Sequence, residues 1–267
     1  MSLLRAMTRN YKDARALGPA FPLRHVSRYL GRHCHEAHIK GIGRVRFRPA
    51  SSDPEVIKDV FIARPYDVSA WPHGDWLMGR YRSLVAAGHI PLIIDAGANI
   101  GAGSLWFARQ FPEAAIVAVE PDPENANLCR VNTRDLENVR VVQAALGSEA
   151  GCVSLHNPSG EAWKVQTVRD QVDGVPVVTV NDIVRDAPVG ARLFLIKIDI
   201  EGFEHDLFMS NLDWLDEAQA VIIEPHDWLF PGRGTSWHFR QALAGPQFEL
   251  LISGENLVYI RAPAAGG

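Results

Sequence analysis

The stretch LIIDAGANIGAGS, residues 92–104, decides how this chain folds. Three apolar residues, an aspartate and glycines at 97, 101 and 103 describe a buried strand that breaks at a tight turn and re-emerges as a helix. Such a turn holds a ligand.

The pattern continues outward from that turn. Apolar runs rich in Val and Ile recur as PLIID, AIVAVE, VRVVQAAL, LFLIKID, AVIIE, FELLIS and LVYIR, each too short for a helix. The amphipathic segments GAGSLWFARQF and DPENANLCRVNTRD between the early runs are long enough for the helices of right-handed crossovers. Continuous apolar strands alternating with helices predict an α/β fold whose parallel sheet is covered on both faces. GCVSLHN and VPVVTVNDIV interrupt the alternation as an inserted hairpin or meander. At the end, FELLISGENLVYIR is two strands joined by a turn too short for a crossover, so those two strands are antiparallel neighbours. A mostly parallel seven-stranded sheet ending in an antiparallel hairpin is the arrangement of Rossmann-like class I methyltransferases. Residues 91–267 form this core, and residues 1–90, punctuated by six prolines between Pro19 and Pro72, are expected to form an irregular N-terminal cap over the strand ends.

The composition, 47% hydrophobic and 22% charged, is that of a soluble globular protein. Its net charge of -4 hides an asymmetry: residues 1–48 hold 11 Lys or Arg against Asp13 and Glu36, leaving 16 against 29 in the rest. The basic arm reads either as a solvated segment or as an anion-seeking one, for a phosphorylated carrier, a membrane surface or nucleic acid. No aromatic-rich RNA-binding motif or zinc finger supports the nucleic-acid version. The first residues contain no apolar run long enough for a signal peptide or a spanning helix, which points to the cytoplasm. Cys34, Cys129 and Cys152 are widely spaced and odd in number, so they are expected to be reduced and buried. His33, His35 and His38 lack the second ligand pair of a zinc motif.

Two ligands compete for the turn. The glycines at 97, 101 and 103 match the spacing of short-chain dehydrogenases, but the turn lies some 90 residues from the N-terminus and no tyrosine has a lysine four positions later. The G-x-G-x-x-G fingerprint fails because Asn99 stands where a glycine is required. Asp95, at the end of the strand, would repel the pyrophosphate of a dinucleotide and attract the amino group and sulfonium of S-adenosylmethionine. Glu120, 25 residues on at the next strand end, is placed to accept hydrogen bonds from ribose hydroxyls. Cofactor contacts are therefore expected from Asp95, Gly97, Ala98, Asn99, Gly101, Ser104, Glu120, Pro121, Asp122 and Ala145. Besides the dehydrogenase, a non-catalytic scaffold that retains the fold is the other alternative.

DAGANIGAGS, VEPDPENANLCRVN, IKIDIEGFE and VIIEPH, in that order and spacing, resemble the FkbM-type S-adenosylmethionine-dependent methyltransferases, over roughly residues 47–260. The resemblance implies O-methylation of a sugar, glycan, polyketide or related hydroxyl-bearing natural product. WPHGDW departs from the usual acidic-tyrosine ending of the family's upstream segment.

The acceptor side is expected at the fourth and fifth strand ends. LIKIDIEGFEHDLF places Asp199 and Glu201 at the crevice, with Lys197 on the same strand face to neutralise them. Glu204 and Asp206 fall in a first helical turn, where acids suit the helix dipole, and read as structural. His226 in IIEPHDW is the natural general base for removing a hydroxyl proton. Trp228, Phe230 and Trp237 would stack on a sugar or pack against the following helix. Asp199, Glu224 and His226 also form an oxygen-rich set suited to magnesium or manganese, as at similar places in catechol-type methyltransferases.

Overall fold

The computed structural model describes residues 11–156, 166–170, 174–245 and 247–263. An antiparallel pair, β1 (His35–Ile39) and β2 (Gly43–Phe47), opens the chain after a helical segment. The strands that follow are β3 (Ile90–Ala96), β4 (Ala115–Val119), β5 (Val139–Val142), β6 (Ala145–Leu146), β7 (Gly151–His156), β8 (Gln166–Asp170), β9 (Val175–Val178), β10 (Ala191–Ile198), β11 (Ala220–Ile223), β12 (Phe248–Ser253) and β13 (Asn256–Arg261).

Seven of them form one sheet in the order β12-β13-β11-β10-β3-β4-β5. β3, β4, β5, β10 and β11 are mutually parallel, and β13 runs antiparallel to both β11 and β12. The expected architecture is therefore present, closing hairpin included. Alternation explains the apolar runs: Leu92 and Ile94 enter one core cluster while Ile93 enters the other, so β3 is buried on both faces. β11 divides likewise, Ala220 and Ile222 to one side and Val221 and Ile223 to the other.

Two crossover helices are capped as their sequences dictate. α1 (Ala102–Gln110) starts from Gly101, whose φ of 86° suits glycine, and a Cβ there would lie 2.8 Å from Cys129 Sγ. α2 (Pro123–Thr133) starts at Asp122, whose carboxylate accepts from the Asn125 N–H at 2.8 Å, with proline in the first turn.

VRVVQAAL does not form one strand. It breaks after Val142, and β6 joins a separate four-stranded sheet, β6-β9-β7-β8, built from the interrupting segment. NDIV is helical, over Val180–Arg185, because Thr179 and Asp182 close a reciprocal capping box there.

Residues 11–86 contain the β1–β2 pair and several helices, one of them running from Pro72 to Ala86, and their Leu17, Phe21, Val45, Phe47 and Tyr81 share a core cluster with Ile93 and Phe194 of the sheet and Phe107 of α1. The cysteines differ from expectation: Cys129 is buried, but Cys152 is half-buried and Cys34 exposed. His35 is engaged through both ring nitrogens, with Ser27 Oγ at 2.8 Å and the Ala20 carbonyl at 3.1 Å, so it is a framework residue. Among the described residues no helix is long and apolar enough to cross a membrane.

Candidate active site

A crevice opens at the C-terminal ends of β3, β4 and β10, where parallel sheets of this kind hold ligands. Gly97, Asn99, Glu120, Pro121 and Ala145 line it, as do Asp199 and Glu201. Gly97 takes a φ of 73°, and a Cβ on it would fall 1.7 Å from the Asp199 carbonyl oxygen. The glycine thus lets the turn close onto the end of β10. Asn99 and Glu201 hold left-handed φ values of 50° and 53° without being glycines. Such strained backbone concentrates at functional sites.

Glu120 accepts from the Asn99 N–H at 2.8 Å through one oxygen and from the Asp122 N–H at 3.0 Å through the other. Burial pushes its carboxyl up to about 7, against the pull of those two donors. Oε2 keeps a second lone pair for a hydroxyl donor. Asn125, which the sequence did not single out, also lines the crevice, and its amide connects Glu120 to Arg48: Nδ2 lies 3.5 Å from Glu120 Oε1 and Oδ1 accepts from Arg48 at 2.6 Å. Arg48 is fixed in turn on the fully buried Asp53. Ile200, Phe203 and Leu146 complete the apolar part of the lining.

Asp95 is not where charge attraction to a cofactor would put it. It is fully buried beneath the turn, outside the crevice lining, accepting from Ser104 Oγ at 2.6 Å and lying 3.4 Å from Lys197 Nζ. The cause is steric and electrostatic. Gly103 presents no Cβ, so the carboxylate folds under α1, and the Lys197 ammonium draws it down. Ala98, Gly101 and Ser104 are likewise interior, supporting the turn, and Asp122 caps α2.

Lys197 is buried and donates to the Ala96 and Gly97 carbonyls at 3.3 and 2.8 Å, with Asp199 Oδ2 at 3.5 Å. Burial opposes its charge, but Tyr66, Asp199, Asp95 and Glu224 outweigh that and hold it charged, above the usual lysine range. It serves Asp95 and Asp199 rather than the expected Asp199 and Glu201.

His226 is also buried. Its Nδ1 lies 2.8 Å from Glu204 Oε1, and its Nε2 faces Asp199 at 3.6 Å, Glu201 at 3.7 Å and Glu224 at 3.8 Å. Burial would lower the imidazole, but the Glu204 hydrogen bond and the surrounding carboxylates push it up to about 10. Burial, then the neighbouring Asp199, push Glu201 and Glu224 up to about 8. Glu204 is fully buried, and its role exceeds the helix-dipole one assigned from sequence. Asp206 is a framework acid, taking the Ser148 N–H at 3.0 Å. Asp199, Glu224 and His226 each offer a ligand atom within 4.8 Å of the others.

The loop after β11 is clipped by Asp227, which accepts from the Ser236 hydroxyl, the Ser236 N–H and Thr235. Between those anchors Phe230 packs on Gly202, where a Cβ would come within 2.3 Å of the ring, while Trp228 and Trp237 are exposed.

The strand order, the glycine turn closing on β10 and a buried carboxylate at the end of the second strand define a Rossmann-like S-adenosylmethionine-dependent methyltransferase. The family model described as the methyltransferase FkbM domain matches residues 95–239, more than half of the chain. The chain belongs to that family, which sets aside the dehydrogenase alternative. It is 27% identical to "Methyltransferase 1" of Beauveria bassiana over 194 residues, 62% of this chain and 71% of the relative. It is 26% identical to "2-O-methyltransferase NoeI" of Sinorhizobium fredii over 156 residues, 51% of this chain and 64% of the relative. Among solved structures, a putative O-methyltransferase from Klebsiella pneumoniae matches with a TM-score of 0.42 and 15% identity, covering 78% of this chain and 90% of the other.

Proposed function

We propose that the enzyme transfers the methyl group of S-adenosylmethionine to a hydroxyl oxygen of a sugar, glycan or other natural product, and that the transfer takes place against the wall formed by Asp199, Glu201, Glu224 and His226. The observation that carries this reading is the convergence of Asp199, Glu224 and His226, with ligand atoms within 4.8 Å, beside a crevice that Asp199 itself lines. The relative named as a 2-O-methyltransferase supports an oxygen acceptor.

Methyl transfer from a sulfonium needs collinear approach by the acceptor oxygen and a place for its proton. In this reading Glu120 and Asn125 orient the cofactor, with the Gly97–Asn99 backbone close beneath it. Lys197 plays no part in proton transfer; it neutralises Asp95 and Asp199 and holds the turn carbonyls. With both ring nitrogens facing carboxylates, His226 is a donor and not the base first expected. The proton passes to Glu224 or Glu201, whose basicity burial and mutual repulsion have raised. In this reading the exposed Trp228 stacks on a sugar acceptor.

The donor set also fits a divalent cation. Two carboxylates and one imidazole suit magnesium or manganese, and Glu201 Oε2 is buried without a hydrogen-bond partner. With a cation present, Glu204 would keep the proton on Nδ1 and leave Nε2 to Asp199 and Glu224's side of the site. Such an ion, when bound, supplies positive charge that lowers the pKa of the acceptor hydroxyl.

The test is turnover on a panel of glycosides after exhaustive chelation, followed by magnesium or manganese add-back. Loss and recovery of activity, abolished in Asp199→Asn, supports the ion. Full activity after chelation removes it and leaves the carboxylates as base.

A further inference from the structure

The helix Arg24–Tyr29 is built inside out. Its buried residues are Arg24 and Ser27. Arg24 donates to Asp13 at 2.8 Å, and Ser27 pairs with His35 at 2.8 Å. Its apolar residues, and those at its two ends, face solvent instead: Leu23 and Val26 are each 55% exposed, Tyr29 89% and Leu30 59%. Tyr11 nearby in sequence is 69% exposed, so five of the twelve large exposed hydrophobics among the described residues fall within residues 11–30. A surface helix on a soluble protein ordinarily turns such residues inward. Concentration of apolar side chains on the outside of one short segment marks an interaction surface.

The segment is also cationic. Lys12, Arg15, Arg28, Arg32, Lys40 and Arg44 are exposed. The acids of the segment do not offset them: Asp13 is buried under Arg24, and Glu36 is bound to Arg46 at 2.8 Å. Leu23, Val26 and Leu30 line a shallow depression with Arg32 and Arg46 beside them. The rest of the chain is acidic, with 16 Lys or Arg against 29 Asp or Glu.

We propose that this face seats the enzyme on the surface of an anionic lipid bilayer, with Leu23, Val26, Tyr29 and Leu30 entering the interface and the surrounding Lys and Arg side chains meeting lipid phosphates and carboxylates. Peripheral membrane segments combine these two features, apolar side chains for the acyl boundary and basic ones for the headgroups. A second copy of the chain fits less well, because a two-fold contact would set the same cations against each other. A soluble phosphorylated carrier would satisfy the cations but leave the apolar residues in water. The acidic body, repelled by the same lipids, would fix the orientation of the bound molecule.

The experiment is flotation of the full-length protein with vesicles of pure phosphatidylcholine and of phosphatidylcholine containing one-third phosphatidylserine. The wild type is expected to float with the anionic vesicles and not with the neutral ones, and to be released in part by high salt. Arg28→Glu with Arg32→Glu should weaken partitioning about tenfold or more. Val26→Ser with Leu30→Ser should do so comparably, and both variants should bind S-adenosylhomocysteine as the wild type does. If either pair loses that binding, Leu23→Ser with Tyr29→Ser replaces it as the apolar variant and Lys12→Glu with Arg15→Glu as the charge variant. Absence of flotation, equal flotation with neutral vesicles, or partitioning unchanged in the apolar variants would overturn the proposal. So would full displacement by inorganic pyrophosphate, which would indicate a soluble phosphate ligand, or self-association through this face without vesicle binding.

Discussion

Glu204 and His226 meet at 2.8 Å, Oε1 to Nδ1, with neither side chain more than 2% exposed. The contact joins the end of β10 to the end of β11 and fixes the imidazole so that Nε2 faces Asp199, Glu201 and Glu224. Glu204 Oε1 also lies 3.4 Å from the Ile200 N–H and 3.3 Å from the Gly202 N–H, which ties the ring orientation to the turn carrying Glu201.

Replacing Glu204 therefore acts on the site without touching the crevice. Glu204→Gln retains an acceptor oxygen but not the charge, and should weaken manganese binding about tenfold to a hundredfold. Glu204→Ala should weaken it further and lower stability by about 1–3 kcal/mol, since it leaves a buried ring nitrogen without its partner. Manganese titration of the chelated protein, alongside thermal unfolding, measures both. Unchanged manganese affinity in the two variants would remove Glu204 from the site.

Asp95→Asn should register chiefly in stability. The carboxylate is fully buried against Lys197 and Ser104, and removing its charge should cost about 3 kcal/mol, at the low end for a broken buried pair because Asp199 still faces the ammonium. Calorimetric affinity for S-adenosylhomocysteine should change less than the unfolding free energy does. A large loss of affinity with unchanged stability would return Asp95 to direct cofactor contact.

Glu120 should make cofactor binding depend on pH. Its carboxyl is raised to about 7 in the cofactor-free protein, and hydroxyl donors favour the charged form. Affinity for S-adenosylhomocysteine should thus hold above pH 7 and fall below it, approaching about tenfold per pH unit, and Glu120→Gln should flatten the profile. The sign for folding is opposite. A group whose folded pKa lies above its unfolded value of 4.5 stabilises below that value, and the contribution is lost as pH rises through about 7.

Gly97→Ala tests the closure of the turn on β10. A Cβ 1.7 Å from the Asp199 oxygen, at a φ of 73°, cannot be accommodated without moving one of the two strand ends. The expected cost exceeds about 4 kcal/mol, with loss of cofactor binding. A variant of near wild-type melting temperature would contradict the geometry.

The central sheet was legible because its inner strands β3 and β11 are buried on both faces, so PLIID and AVIIE read as unbroken apolar runs, and because Gly97 and Gly101 must be glycines. The break at Val142 was hidden, since VRVVQAAL stays apolar across the point where the chain leaves one sheet for another. At the site, the strand-end positions of Asp199, Glu224 and His226 followed from topology. Which way their side chains turn did not. Asp95 pairs with Ala118, two residues short of Glu120, so one folds beneath the turn toward Lys197 while the other faces the crevice. Asn125 and Glu204 were missed because they act through partners distant in sequence, Arg48 and His226.

The central claim is oxygen methylation at the wall formed by Asp199, Glu224 and His226. It is tested most directly by mass spectrometry of products formed with S-adenosylmethionine carrying a trideuteriomethyl group, on a panel of glycosides and other hydroxyl-bearing acceptors, with wild type and Asp199→Asn in parallel. The account predicts label on a hydroxyl oxygen with the wild type and at least about a hundredfold less with the variant, while S-adenosylhomocysteine affinity stays within a few-fold. Label on nitrogen or carbon, or undiminished transfer by Asp199→Asn, would contradict it.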